Sequence, residues 1–222
     1  MKSSLKIYFL IFFFLIFSTY NIKDSKKKSS IFFPIKEISI ENNVATNSLQ
    51  LRSDLNFLMN SSLLFLNKKK IVKIMNNYDF ISSIQLKKKY PNTLKILISE
   101  KIPLAIQLKN NKKFYIVDDY EKIDFIDLKV YENLPLIFGN YRNFINFYSD
   151  LKKYNFKINK IKAFYYFEAD RWDIVFSDGK IIKFPAENYL DLLLKINLML
   201  DDNQFSKYKI FDFRIKDQLI LK

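Results

Sequence analysis

The 222-residue chain has no cysteine, no histidine and only two glycines. Each absence removes a class of chemistry. Without cysteine there is no disulfide, and the sequence carries no mark of the redox state of its compartment. Without histidine or cysteine there is no Ser-His-Asp or Cys-His catalytic set, and no zinc site built on imidazole or thiolate. Two glycines cannot make the GxGxxG turn or the Walker loop that brings backbone N–H groups up to a phosphate. The remaining route to catalysis is through carboxylates. Glu168, Asp170 and Asp173 could supply the acid–base pair of a glycoside hydrolase, but they flank a strand beside Arg171, where salt bridges and a turn account for them. Asp118, Asp119, Glu121 and Asp124 lack the glycine and the ligand spacing of a calcium loop. The chain reads as non-enzymatic, with no cofactor and no metal.

What is abundant is apolar and basic. Hydrophobic residues make up 49% and aromatics 17%, enough for a folded core. The net charge is +14 and the isoelectric point is near 9.6. A basic nucleic-acid-binding protein is one reading of that charge. The lysines, however, are spread along the chain, with clusters at 26–28, 68–70 and 87–89, and they accompany heavy use of Asn, Ile and Phe. Compositional drift or a solvated face is the simpler reading, and no nucleic-acid partner is expected. Beside a membrane, a basic surface still favours anionic lipid.

Residues 5–22 read LKIYFLIFFFLIFSTYNI, with no charge after Lys6 and an unbroken apolar core over 7–17. Counting its flanks, the segment is just long enough for a bilayer span. It lacks the small-x-small pattern of a cleaved signal peptide, so a signal anchor is expected. Lys2 and Lys6 precede the segment, and Lys23 and Lys26–Lys28 follow it. Taken alone, that bias puts the C-terminal side in the cytoplasm. Residues 23–30 read as a lysine-rich linker, and Pro34 opens the folded part.

The most informative stretch runs from Asn67 to Lys101. Asn67 can cap a helix whose Ile71, Ile74, Met75 and Tyr78 share one face. The period then drops to two. Ile84 and Leu86 alternate with polar residues, Tyr90-Pro91-Asn92-Thr93 turns the chain, and Leu94, Ile96 and Ile98 alternate again. Upstream, residues 35–40 read as a first strand. Leu51, Leu55, Leu58 and Met59 form a helical stripe, capped by Thr46 or Asn47. Asn42-Asn43 follows the first strand and Asn60 follows the helical stripe, and Asn is the best substitute for Gly at positive φ.

This βααββ order resembles a POTRA domain, and more narrowly the FtsQ/DivIB family of bacterial division proteins. The resemblance rests on Tyr78-Asp79-Phe80, on Lys87-Lys88-Lys89-Tyr90-Pro91-Asn92-Thr93-Leu94 and on Glu100-Lys101-Ile102-Pro103. It continues downstream. Strands are expected over 104–108 and 113–117, with a turn at 118–123. Leu134-Pro135-Leu136-Ile137-Phe138-Gly139 matches the family's Leu-Pro-x-x-x-Gly element. A helix carries Phe144, Phe147, Tyr148 and Leu151, and a strand spans 161–167. Arg171-Trp172-Asp173-Ile174-Val175-Phe176-Ser177-Asp178-Gly179 matches a family hairpin, with Asp178-Gly179 as a two-residue turn. A helix is expected from Pro185 through Leu200. Residues 210–217 resemble a strand and turn whose Pro is replaced by Lys216, and 218–222 give a last strand.

The resemblance implies an α+β protein with a transmembrane anchor in 1–22, a linker in 23–33, a POTRA domain in 34–102 and a β-rich domain with flanking helices in 103–222. It implies a bitopic inner-membrane scaffold of the divisome, with a short cytoplasmic N-terminus and a periplasmic body, opposite to the lysine bias. Its partners are FtsB- and FtsL-like proteins, with other divisome proteins met through the POTRA domain. A sheet edge can accept a partner strand. The expected contact residues are Arg171, Trp172, Phe211, Arg214, Ile215, Gln218, Leu219, Ile220 and Leu221, with Arg214 pairing with a partner carboxylate. Core packing is the competing role for Trp172. Another POTRA-bearing envelope assembly or secretion adaptor is the alternative.

Overall fold

The computed structural model describes residues 2–18, 31–119 and 121–222. The first helix, α1, is Lys2–Ser18. At 1.5 Å per residue it is about 25 Å long. Among the described residues no helix is long and apolar enough to cross a membrane. The expected linker over 23–30, and part of the expected span, lie outside the described residues.

The first folded unit contains β1 (Glu37–Glu41), α2 (Ser48–Asp54), α3 (Lys68–Met75), β2 (Ile81–Lys89) and β3 (Thr93–Glu100). Its sheet has the order β1-β3-β2. Central β3 runs parallel to β1 and antiparallel to β2. Both helices begin at an asparagine whose side chain meets otherwise unpaired first-turn N–H groups. Asn47 accepts from Leu49 and Gln50, and Asn67 accepts from Lys70. Leu51, Leu55, Leu58, Ile71 and Met75 close over Ile38, Ile40, Leu94, Ile96 and Ile98. Ile74 and Tyr78 lie at the margin of that cluster. Asn42 and Asn60 have φ of 64° and 61°. Ile35 is buried but lies before β1; its N–H is taken by the Ser61 carbonyl at 2.9 Å.

The second unit is a nine-stranded mixed sheet with the order β12-β11-β10-β9-β8-β7-β4-β5-β6. Its strands are β4 (Pro103–Lys109), β5 (Lys112–Val117), β6 (Lys122–Asp124), β7 (Leu136–Phe138), β8 (Ile161–Phe167), β9 (Arg171–Phe176), β10 (Ile181–Lys183), β11 (Ile210–Asp212) and β12 (Ile220–Leu221). Two helices, α4 (Phe144–Lys153) and α5 (Leu190–Asp201), connect the parallel pairs β7–β8 and β10–β11. Parallel neighbours need such crossovers, and both helices pack on one face of the sheet. That core is aromatic. Trp172 stacks on Phe147 with ring centroids 5.1 Å apart and planes 5° apart. Gly139 has φ +98°, and a Cβ there would come 2.6 Å from the Tyr166 carbonyl oxygen, so no other residue fits.

Two expectations are corrected. The β9–β10 connection is not a two-residue turn. Phe176 N–H bonds the Lys180 carbonyl, and Gly179 N–H bonds the Phe176 carbonyl. This is a three-residue loop with glycine in the left-handed position (φ 85°). The last helix begins at Leu190, not Pro185. Asn188 takes φ 55°, which no helix interior tolerates, so 185–189 form a loop. Leu193, Ile196 and Met199 face the core, whereas Leu194 is exposed.

The units meet at the end of β3. Glu100 accepts hydrogen bonds from the backbone N–H groups of Val44, Ala45 and Thr46 at 2.8, 2.8 and 2.7 Å. The next residue, Lys101, pairs with Glu121 and lies 3.7 Å from Asp119. Phe80 packs edge-on against Tyr115 at 5.7 Å, in a cluster with Ile106, Val117 and Ile123. Burial pushes the Glu100 pKa up, but the hydrogen bonds from Thr46, Ala45 and Val44 outweigh it and hold the carboxyl below its ordinary 4.5. A depressed folded pKa stabilises above the unfolded value and loses that effect as pH falls through the folded one. Glu100→Ala is therefore expected to cost about 2 kcal/mol at neutral pH, because three N–H groups lose a charged acceptor. Denaturant unfolding of both proteins across the acid range should show the difference shrinking below the ordinary carboxylate pKa. A gap independent of pH would contradict the assignment.

Candidate partner-binding edge

Strand β12 ends the large sheet, and among the described residues no strand pairs with its outer side. At the opposite edge, β6 lies where the two units meet, with Ile123 buried beside Phe80. Ile210 and Lys222 exchange both backbone hydrogen bonds, at 3.0 and 3.1 Å. In an antiparallel ladder the bonded and non-bonded pairs alternate. Leu221, opposite Phe211, therefore turns its N–H and C=O away from β11, toward an incoming strand.

A groove of about 660 Å³ adjoins this edge. One wall is the turn from Phe213 to Leu219. The other is the 185–188 loop with Asp191, Leu192 and Lys195 of α5. The mix of Glu187 and Asp191 with Lys195 and Arg214 gives the groove both signs of charge. This second wall was not anticipated from the sequence, because Pro185 read as a helix start; the signal available was Asn188, a residue tolerant of positive φ, just ahead of the apolar run.

The expected contact residues divide into three groups. Arg214, Ile215, Gln218 and Leu219 line the groove, and Ile220 and Leu221 form the edge strand itself. Phe211 and Trp172 are buried, at 0% and 5% exposure, and present no side chain to a partner. Trp172 has the core role. Arg171 is remote from the edge: β9 lies three strands from β12. Its guanidinium lies over the Phe167 ring at 4.4 Å, and its Nε is 3.5 Å from Asp173 Oδ1.

Arg214 also has an acid of its own. Its Nε donates to Asp212 Oδ1 at 2.8 Å and its Nη2 to Oδ2 at 2.5 Å, while its backbone N–H meets Oδ1 at 3.1 Å. These bonds hold the Asp212 carboxyl below the usual range against the effect of burial. Lys183 stands in register between Asp212 on β11 and Asp173 on β9. Asp173 is buried, and that burial raises its pKa despite Arg171, Lys183 and Arg214 nearby. The row Asp173–Lys183–Asp212 thus leads from the sheet interior toward the edge, where Asp212 fixes the pose of Arg214. Of the other carboxylates, Asp170 accepts from the Tyr166 hydroxyl, and Asp119 and Glu121 serve Lys101.

A βααββ unit continued by a mixed sheet, with a groove beside its terminal edge, defines a POTRA-bearing protein. Residues 33–101 match the family described as POTRA domain, FtsQ-type. Over 198 residues the chain is 27% identical to the cell division protein FtsQ of Rickettsia bellii, covering 86% of this chain and 72% of that protein. It is 20% identical over 190 residues to FtsQ of Rhizobium meliloti, covering 84% and 62%. It is 24% identical over 159 residues to FtsQ of Blochmanniella floridana, covering 64% and 56%. Residues 33–101 are thus a POTRA domain of the FtsQ type, and most of the chain is similar to proteins named cell division protein FtsQ.

Removing the Arg214 guanidinium strips the charged donor from a carboxylate that is only 8% exposed at the residue level. Arg214→Ala is expected to cost about 1–3 kcal/mol. Asp212→Asn on that background should recover part of it, with a coupling of about 1 kcal/mol in a double-mutant cycle read by denaturant unfolding. Additive effects would mean that the pair is not coupled.

Proposed function

We propose that this chain is a non-enzymatic, single-span scaffold of the bacterial division machinery, and that β12 is where it receives a strand from an FtsB- or FtsL-type partner. The observation that carries the reading is the outward-facing N–H and C=O of Leu221 beside a groove of mixed charge. Main-chain bonds along such an edge give affinity, and side chains seated in a neighbouring groove give specificity. Arg214, already fixed by Asp212, offers its remaining N–H groups to a partner carboxylate. Other division proteins meet the chain through the POTRA unit.

The anchor is assigned to residues 1–22, the linker to 23–33, the POTRA domain to 34–102 and the partner-binding domain to 103–222. The apolar run from 7 to 17 supports an inner-membrane anchor, and the likeness to FtsQ proteins, against the lysine bias, is what favours an N-terminus in the cytoplasm and a body in the periplasm. The names of the relatives support the division role.

The edge is tested by Leu221→Pro. The substitution removes a donor that points away from β11, so it spares the ladder while denying the partner one bond and crowding its approach. Titration of the full chain in detergent with the periplasmic segment of an FtsB-type partner should show affinity reduced by about tenfold, with circular dichroism unchanged. Wild-type affinity in a folded variant would place the partner elsewhere.

A further inference from the structure

The end of the POTRA unit nearest the apolar helix α1 in sequence is an exposed aromatic and basic surface. Three separate segments build it. Ser62 Oγ donates to the Phe32 carbonyl at 2.8 Å, and Leu63 N–H to the Phe33 carbonyl at 2.9 Å. The Phe33 and Tyr90 rings meet edge-on at 5.0 Å. Lys88 Nζ donates to the Leu64 carbonyl at 2.8 Å, and Lys36 N–H to the Asn92 carbonyl at 2.9 Å. Gathered there are Ile31, Phe32, Phe33, Leu64, Phe65 and Tyr90, all exposed, with Phe65 at 83% and Phe32 at 70%. Around them stand Lys68–Lys70 at the start of α3 and Lys87–Lys89 at the end of β2. No acidic residue occurs in 31–34, 60–70 or 85–93.

Glu37, which accepts from the Thr93 hydroxyl at 3.3 Å, is an acid at this end, and lysines outnumber it. Apolar side chains among an excess of lysines are the composition of a surface that lies in the headgroup region of an anionic bilayer. Geometry points the same way. The tip is at the Thr93 end of β3, and the joint with the second unit is at the Glu100 end. The length of β3 from Thr93 to Glu100 separates them by about 23 Å, so the tip faces away from the joint. Twelve residues, 19–30, separate α1 from Ile31. Even fully extended they reach only about 40 Å, which keeps the tip close to whatever membrane holds α1.

We infer that this tip docks on the membrane surface, with the aromatic side chains entering the interface and the six lysines meeting anionic lipid headgroups. The inference rests on α1 being a membrane anchor. Docking holds the POTRA unit upright and directs the rest of the body away from the bilayer.

The test uses the full chain in proteoliposomes. Phe65→Trp places a reporter at the tip, and Leu198→Trp places one on an exposed position of α5; the native Trp172 is buried and common to both. Vesicles of phosphatidylcholine with phosphatidylglycerol, with and without brominated acyl chains, report the depth of each tryptophan. The tip reporter should be quenched by roughly twofold and the α5 reporter hardly at all. Replacing the six lysines by glutamine, or omitting phosphatidylglycerol, should relieve the quenching. Flotation of the vesicles reports α1 separately. A chain that floats without quenching at position 65 overturns docking and leaves the anchor intact. A chain that does not float overturns both. Quenching equal in neutral and anionic vesicles removes the lysines from the account. A tip reporter shielded from aqueous iodide yet untouched by brominated lipid means that protein covers the tip, and also overturns docking.

Discussion

The apolar cluster of Phe80 with Ile106, Tyr115, Val117 and Ile123 joins the two units in one body, and three backbone N–H groups converging on the Glu100 carboxylate fix the 44–46 loop of the first unit beside it. The residue ends the central strand of the POTRA sheet, so its backbone belongs to one unit's core while its side chain fixes the 44–46 loop. That loop carries Ala45, which packs into the same cluster as Phe80 and Tyr115. Lys101 then delivers its charge to Asp119 and Glu121 on the neighbouring unit. A carboxylate saturated by backbone donors is a short, directional tie, unlike a pair of long exposed side chains. With the joint fixed, the basic tip at one end of β3 and the large sheet at the other keep their spacing.

The large sheet has a comparable division of labour. One face is closed by α4 and α5, with Phe147 of α4 packed on Trp172 and Phe164 of the sheet. On the other, Asp173, Lys183 and Asp212 follow one another across strands, and Asp212 holds Arg214 at the rim. The terminal strand is only two residues long. Short edges limit unwanted pairing, and here the shortness comes with a groove that supplies the specificity a two-residue ladder cannot.

Much of the first unit was legible in the sequence because local signals and global fold agree there. Asn47 and Asn67 cap helices, the switch from a period near four to a period of two falls where α3 gives way to β2, and Asn42 and Asn60 adopt the positive φ their type permits. In the second unit the longer strands were legible as apolar, β-rich runs, whereas the three-residue β6 and β7 were not. Four other features were not. Pro185 looks like a helix start, but the backbone at Asn188 delays the helix to Leu190. Asp178-Gly179 looks like a two-residue turn, but the glycine takes the third loop position. Arg214 looked available to a partner, while its acid lay two residues earlier at the end of β11, a pairing set by side-chain rotamers rather than by pattern. Phe211 looked like a contact residue because alternation alone does not say which face of a strand is covered.

The central claim is that β12 receives the partner strand. Backbone amide exchange of the full chain, with and without the periplasmic segment of an FtsB-type partner, tests it residue by residue. The account predicts slowed exchange at Leu221, whose N–H points outward, and little change at Ile210, whose N–H is already bonded to Lys222. Protection on the outer side of β2 or β6 instead, with Leu221 unchanged, would contradict it.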